Sequence, residues 1–157
     1  MRSAYILLAF TAIMLAACTS TTNNTALVND AASLPSSFNF GKMSFKVITS
    51  FINKKQGTMS TLYGNELALK AATVGTGTVT AGEVFALVTW KQQADDHWFG
   101  AKIPANLLSV EYVKTGEENN HISYQKFEGK NLTLSTDTSN NQARIEYIFD
   151  QKPSVMP

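Results

Sequence analysis

The segment Tyr63–Lys91, YGNELALKAATVGTGTVTAGEVFALVTWK, holds two periodicities in succession, and the change between them sets the fold class. Asn65 behind Gly64 is a suitable N-cap, and Glu66 places negative charge at the positive end of a helix dipole. Leu67, Ala68, Leu69, Ala71 and Ala72 are mostly strong helix formers, so 65–73 reads as a short helix. Val74, Gly75, Thr76, Gly77 and Thr78 then lower helix propensity, and after Gly82 the period becomes two. Val84, Ala86, Val88 and Trp90 share one face; Phe85, Leu87, Thr89 and Lys91 share the other. Both faces are largely apolar, the pattern of a central strand covered on each side.

Working back from the helix, Thr58 to Tyr63 reads as a strand, and Asn53–Gly57 as the polar turn before it. Phe45, Val47, Thr49 and Phe51 alternate with Lys46, Ile48 and Ser50, which predicts a first strand over 44–52 with its aromatic face in the core. Working forward, Gln92–His97 is a polar loop leading to Trp98-Phe99-Gly100. One of these two adjacent aromatics is expected to close the core as a lid, the alternative being an exposed binding patch. Leu108, Val110 and Tyr112 alternate with Ser109, Glu111 and Val113, so 107–114 is a strand with one wet face, and Thr115–Asn120 turns it around. Further strands are expected at 121–128, 131–136 and 143–149, the last from Ala143, Ile145, Tyr147 and Phe149 opposing Arg144, Glu146 and Ile148. Sequential strands with short polar turns and one clear short helix make an α+β fold, mainly β, with an antiparallel sheet of about five to seven strands.

The run GNELALKAA, a Gly/Thr loop, then a strand ending in Trp90-Lys91 resembles the family of cytochrome P-460 and cytochrome c-prime-beta, in which a Gly-Asn-(Asp/Glu) helix precedes a strand ending Trp-Lys. Phe45-Lys46-Val47-Ile48 and, more weakly, Trp98-Phe99-Gly100 extend the likeness. The resemblance implies this fold and a haem held through Cys-x-x-Cys-His near the C-terminus. No such motif is present. If Ala143–Phe149 is laid on the family's final strand, the attachment segment falls near Leu132–Asn141, which offers no Cys, His or Met. Family members also carry a lysine three positions before the Trp, cross-linked to haem in the cytochrome P-460 branch, and Leu87 stands there in this chain. Phe85, Leu87 and Thr89 are thereby candidates to line whatever pocket the fold keeps; filling a solid core is the other reading.

Near the N-terminus, Arg2 supplies a positive start, Tyr5–Leu15 an apolar run short for a membrane span, and Leu15-Ala16-Ala17-Cys18 looks like a bacterial lipobox. Residues 1–17 are read as a lipoprotein signal peptide. Lipidation of Cys18 follows, with acyl chains contributing about 0.8 kcal/mol per buried methylene to a durable membrane anchor. Cys18 is the single cysteine, so none remains for disulfides, thiolate metal sites or nucleophilic catalysis. The Ser/Thr/Asn/Ala composition that follows reads as a flexible tether over 18–36, ahead of a domain at 37–151 and a loose tail at 152–157. Thr19 resembles outer-membrane sorting, giving a lipid-anchored envelope protein facing the periplasm or the cell surface. The Asn23 and Asn131 sequons behind a lipobox read as chance matches.

A net charge of +1 lacks the basic excess that nucleic acid favours as a partner. His97 and His121 are the two imidazoles and hence the axial candidates for a haem held without covalent bonds, with Met43, Met59 and Tyr63 as weaker ones. Asp95-Asp96-His97 could bind a metal, but three adjacent loop residues seldom aim at one point, and no metal site is assigned. No dinucleotide fingerprint, phosphate loop, zincin helix or nucleophile elbow occurs, and no catalytic residue is named. Three functions follow in order. The first is an anchored binding or scaffold module without covalent haem. The second is a redox or gas-binding protein holding haem non-covalently, and the third an enzyme of unrecognised type acting on a small ligand.

Overall fold

A computed structural model describes residues 28–75, 79–116, 121–129 and 131–154. The expected Cys18 anchor and the Asn23 sequon lie outside them. The described chain is one antiparallel meander of six strands: β1 (Lys46–Asn53), β2 (Thr58–Gly64), β3 (Val84–Ala94), β4 (Lys102–Thr115), β5 (Ile122–Glu128) and β6 (Thr133–Leu134), paired in sequence order. Helix α1 (Glu66–Val74) joins β2 to β3, and α2 (Asn141–Phe149) follows β6. The α+β, mainly β architecture is as the sequence predicts, and β3 is central, pairing with β2 and β4.

Asn65 explains how the helix and the central strand meet. Its Oδ1 accepts the Ala68 amide at 3.0 Å, capping α1, and also the Val84 amide at 3.2 Å, while its Nδ2 donates to the Gly82 carbonyl at 2.7 Å. One amide side chain thus satisfies a helix N-terminus and the start of β3 together, which Asp cannot do because an ionised carboxylate has no donor for the Gly82 carbonyl. Gly64 precedes it because an added Cβ would lie 2.8 Å from both Ala68 Cβ and Ile48 Cδ1. Gly75 ends the helix in the left-handed region at φ 64°, its amide donating to the Ala71 carbonyl.

Each face of the sheet carries its own core. On one, Phe85, Leu87, Leu62 and Val113 pack against Ala68 and Ala72 of α1 and Ile145 and Ile148 of α2. On the other, Ala86, Val88, Trp90, Val110 and Tyr112 are covered not by an α-helix but by the strap from Ala32 to Phe45, which holds a 3-10 turn at Ser36–Phe38 and buries Phe38 and Phe40. That strap begins earlier than the expected domain start. Ala31 accepts the Leu107 amide at 2.9 Å, Ala32 accepts Trp90 Nε1 at 2.8 Å, and Asn29 Nδ2 donates to Pro104 at 3.0 Å. Residues 29–36, read as tether, are docked on the sheet.

Several expectations are corrected. Residues 143–149 form helix α2, not a strand: over seven residues Ile145, Ile148 and Phe149 fit a helical face as well as Ala143, Ile145 and Tyr147 fit a strand face, and β6, two residues long, offers no partner to pair with. The family's final strand therefore has no counterpart at 143–149. The 107–114 strand lacks the expected wet face: Ser109 and Glu111 are both buried, and Arg144 of α2 lies over Glu111. Within β1 a bulge between Val47 and Thr49 inverts the alternation, so Val47 is exposed and Ile48 is buried. β3 continues to Ala94 through the expected loop, and β6 is shorter than 131–136. The tail is tied down as far as Ser154, whose amide reaches the Ile48 carbonyl at 3.3 Å and whose Oγ lies 2.8 Å from Thr49 Oγ1.

Candidate functional site

The cover that α2 provides over β3 and β4 is incomplete, and a cleft of about 530 Å³ opens between them. At its floor Glu111, 3% exposed, meets Arg144 of α2 in a bidentate pair, with Nε to Oε2 at 2.8 Å and Nη2 to Oε1 at 2.9 Å. The Tyr124 hydroxyl on β5 donates to the same Oε2 at 2.6 Å. A carboxylate this deep is tolerable only when its lone pairs are taken up, and here three donors take them. Arg144 lies over the Tyr147 ring, 4.7 Å from its centroid, so the guanidinium is held on a second side.

The electrostatics make this a holding arrangement. Burial, then the hydrogen bond to Glu111 and its charge, push the Tyr124 phenol well above its ordinary value, so it stays neutral across the physiological range. For Arg144, burial works against the charge, but the hydrogen bonds and charge of Glu111 outweigh it and the pKa is raised. A neutral phenol and a locked cation are poor proton-transfer groups near pH 7. Farther out, Lys126 and then Ser135 hold the Glu128 carboxyl below the usual range. Among lining side chains, Glu111, Glu128 and Asp137 face Lys126 and Arg144, leaving one net negative charge, while Phe51 and Tyr147 supply apolar wall.

Of the candidates named from sequence, Leu87 and Thr89 do line this cleft, with Thr89 Oγ1 bonded to Ser60 Oγ at 3.0 Å. Phe85, 2% exposed, packs edge-on against Phe149 at 5.4 Å and lines not this cleft but a second one of about 450 Å³ beside Ala72 and Glu83. The two histidines sit elsewhere. His97 lies in the β3–β4 loop with its side chain 88% exposed, and His121 in the β4–β5 turn, so the fourteen residues of β4 separate them. At about 3.3 Å per residue that is some 40 Å, and the pair cannot serve one iron. Asp95 is engaged by its own loop, its Oδ1 accepting the His97 amide at 2.8 Å, and among the described residues no three His, Cys, Asp or Glu converge as a metal site. Met59 and Tyr63 pack on the opposite face of the sheet, and Met43 lines a separate apolar groove there with Phe38, Tyr112 and Phe127. A haem with a histidine axial ligand does not fit beside Leu87, since no imidazole, thiolate or thioether lines that cleft among the described residues.

Nothing in the sequence singles out Glu111, Tyr124 and Arg144 as long as 143–149 reads as a strand; Asn140, which takes the N-cap position of α2 without a side-chain capping bond, is the available signal. A second buried acid, Glu83, was also missed. It is 2% exposed, and its Oε1 accepts the Thr80 amide at 2.9 Å while Thr115 Oγ1 accepts the Glu83 amide at 2.9 Å, closing the loop into β3. Trp98 and Phe99 form no lid; they are exposed. No family model matches the chain, and comparison with the curated proteins finds no match.

Proposed function

We propose that the chain is an envelope lipoprotein, anchored by acyl chains on Cys18 at the outer membrane, whose cytochrome P-460-like domain binds a small ligand without covalent haem. The observation that carries the binding role is the cleft beneath α2, in which a buried, fully satisfied Glu111–Arg144–Tyr124 cluster forms a fixed polar floor between aromatic walls. Its single net negative charge favours a neutral, zwitterionic or cationic small molecule over an anion. The lone cysteine, placed in a lipobox, leaves no thiol for thioether bonds to a porphyrin. The apolar groove beside Met43 is what supports the alternative of non-covalent haem.

Absorption spectra of full-length protein from haem-sufficient cells test the reading, together with thermal-shift titrations against amino acids, amines and polyols. A member of that panel raises the melting temperature of the wild type and not of Tyr147→Ala. Stoichiometric haem in the purified protein overturns it.

A further inference from the structure

We infer that the β3–β4 hairpin is a second membrane contact, its Trp98–Phe99 tip seated in the lipid surface beside the acyl anchor. The inference rests on the lipoprotein reading above. Beyond Lys91, β3 pairs only with β4, and before Ser109, β4 pairs only with β3. Past the bond of the Gln92 amide to the Gly57 carbonyl and those of Asn29 and Ala31 to residues 104–107, the hairpin projects beyond β2 and β5 as a two-stranded arm. Its tip is closed by its own bonds: the Asp95 amide donates to the Ala101 carbonyl at 3.1 Å, the Ala101 amide to the Trp98 carbonyl at 3.0 Å, and Gly100 takes φ +81°. Held there, Trp98 is 71% and Phe99 110% exposed, the two most exposed large apolar side chains among the described residues. Adjacent aromatics presented by a self-bonded turn contribute nothing to the core and suit the interface between headgroups and acyl chains, where Trp is enriched.

What selects lipid as the occupant is the position of the chain's N-terminal side. Asn29 is fastened to the arm itself, to the Pro104 carbonyl at 3.0 Å and the Ala105 carbonyl at 3.3 Å. From that point the tip is about five residues away, roughly 17 Å along a strand. Cys18 is eleven residues upstream of Asn29, a stretch that can span at most about 40 Å. An anchor at Cys18 thus keeps the membrane within a reach that includes the aromatic tip, which makes the second contact effectively intramolecular. Asp95 and Asp96 flank the tip on one side and Lys102 on the other, so it carries no basic excess and the surface it meets is zwitterionic in preference to anionic. Several acyl chains hold the protein on the membrane by themselves, so the arm adds orientation more than residence. With the tip down, β4 runs outward and leaves the β4–β5 turn at the distal end.

The test uses the full-length protein, purified with its own lipid and reconstituted in phosphatidylcholine vesicles carrying bromine at shallow acyl positions. Mass spectrometry of the same sample reports acylation of Cys18. Trp98 and the buried Trp90 are the two tryptophans, so Trp98→Phe leaves Trp90 as a reference that the bromine does not reach. Emission from Trp98 is expected to shift to the blue and to fall at least twofold on brominated vesicles, and Trp98→Phe to abolish the quenching. Acylated protein whose Trp98 remains unquenched overturns the inference and leaves the anchor reading standing. So does cross-linking of a photoreactive residue at position 99 to a protein in place of lipid. An unacylated Cys18 overturns both.

Discussion

Replacing Arg144 with methionine removes the charge partner of a carboxylate that is 3% exposed and keeps the length of the side chain. Breaking a buried ion pair from one side costs about 3–5 kcal/mol, because the remaining charge is stranded. Here the lower end applies. Arg144 is itself about one-third exposed, water can enter the cleft from its side, and the Tyr124 hydroxyl still donates to Glu111 at 2.6 Å. The expected loss is thus about 3 kcal/mol, which for a domain of this size lowers the melting temperature by roughly 10 °C. Glu111→Leu alone is milder, at about 1–2 kcal/mol, since the freed guanidinium can turn to solvent. The double variant Glu111→Leu/Arg144→Met replaces the pair with hydrocarbon and is expected within about 1 kcal/mol of wild type, a departure from additivity of at least about 3 kcal/mol. Urea unfolding followed through the buried Trp90 measures all four corners of the cycle. If Arg144→Met costs under about 1 kcal/mol, or if the two single costs simply add, the pair does not hold α2 to the sheet.

Other outcomes follow from the same contacts. Asn65→Ala loses a helix cap and strands two further backbone groups, at about 2 kcal/mol or more, and Asn65→Asp, which keeps the acceptor and loses the donor, falls between it and wild type by the same urea assay. Gly64→Ala overpacks the contact with Ala68 and Ile48 and costs about 1–3 kcal/mol; a neutral result would show that α1 sits farther from β2 than described. Because the Tyr124 pKa is raised in the folded state, its contribution is fully present below the ordinary phenol value near 10 and is lost as pH climbs above it. Stability of the wild type should therefore fall more steeply than that of Tyr124→Phe between about pH 10 and 11.5, in denaturant midpoints measured across that interval. His97→Ala and His121→Ala are expected to leave a haemin titration spectrum unchanged, and a shift with either would reinstate a histidine-ligated haem.

The elements legible in the sequence are those whose local signals agree with their surroundings. Asn65, Glu66 and the alanines of α1 favour a helix at every position, and the alternation from Val84 to Trp90 persists long enough to exclude a helical period. Residues 141–149 fail both tests. Ile145, Tyr147, Ile148 and Phe149 are β-branched or aromatic, and nine residues are too few for periodicity to separate helix from strand. What decided the outcome is tertiary. Phe85, Leu87 and Val113 leave an apolar surface on the sheet that α1 alone does not cover, and burying Ile145 and Ile148 against it outweighs weak local preference.

That one inversion carried the candidate site with it. While 143–149 was a strand, nothing lay over Glu111, and an acid alternating with Val110 and Tyr112 could only be a solvated residue; once α2 is in place, the same acid is the deepest charge in the cleft and Arg144 its partner. Of the residues that the resemblance to a haem-binding family singles out, Leu87 and Thr89 line this cleft, but the polar groups opposite them come from β4, β5 and a helix where the resemblance implies a strand. Leu87 shows why. Its neighbours on the cleft are Thr89, Ser60, Glu111 and Tyr124, so the hydrogen-bonding groups of this face come from the residues around Leu87, on β2, β3, β4 and β5, and not from position 87 itself.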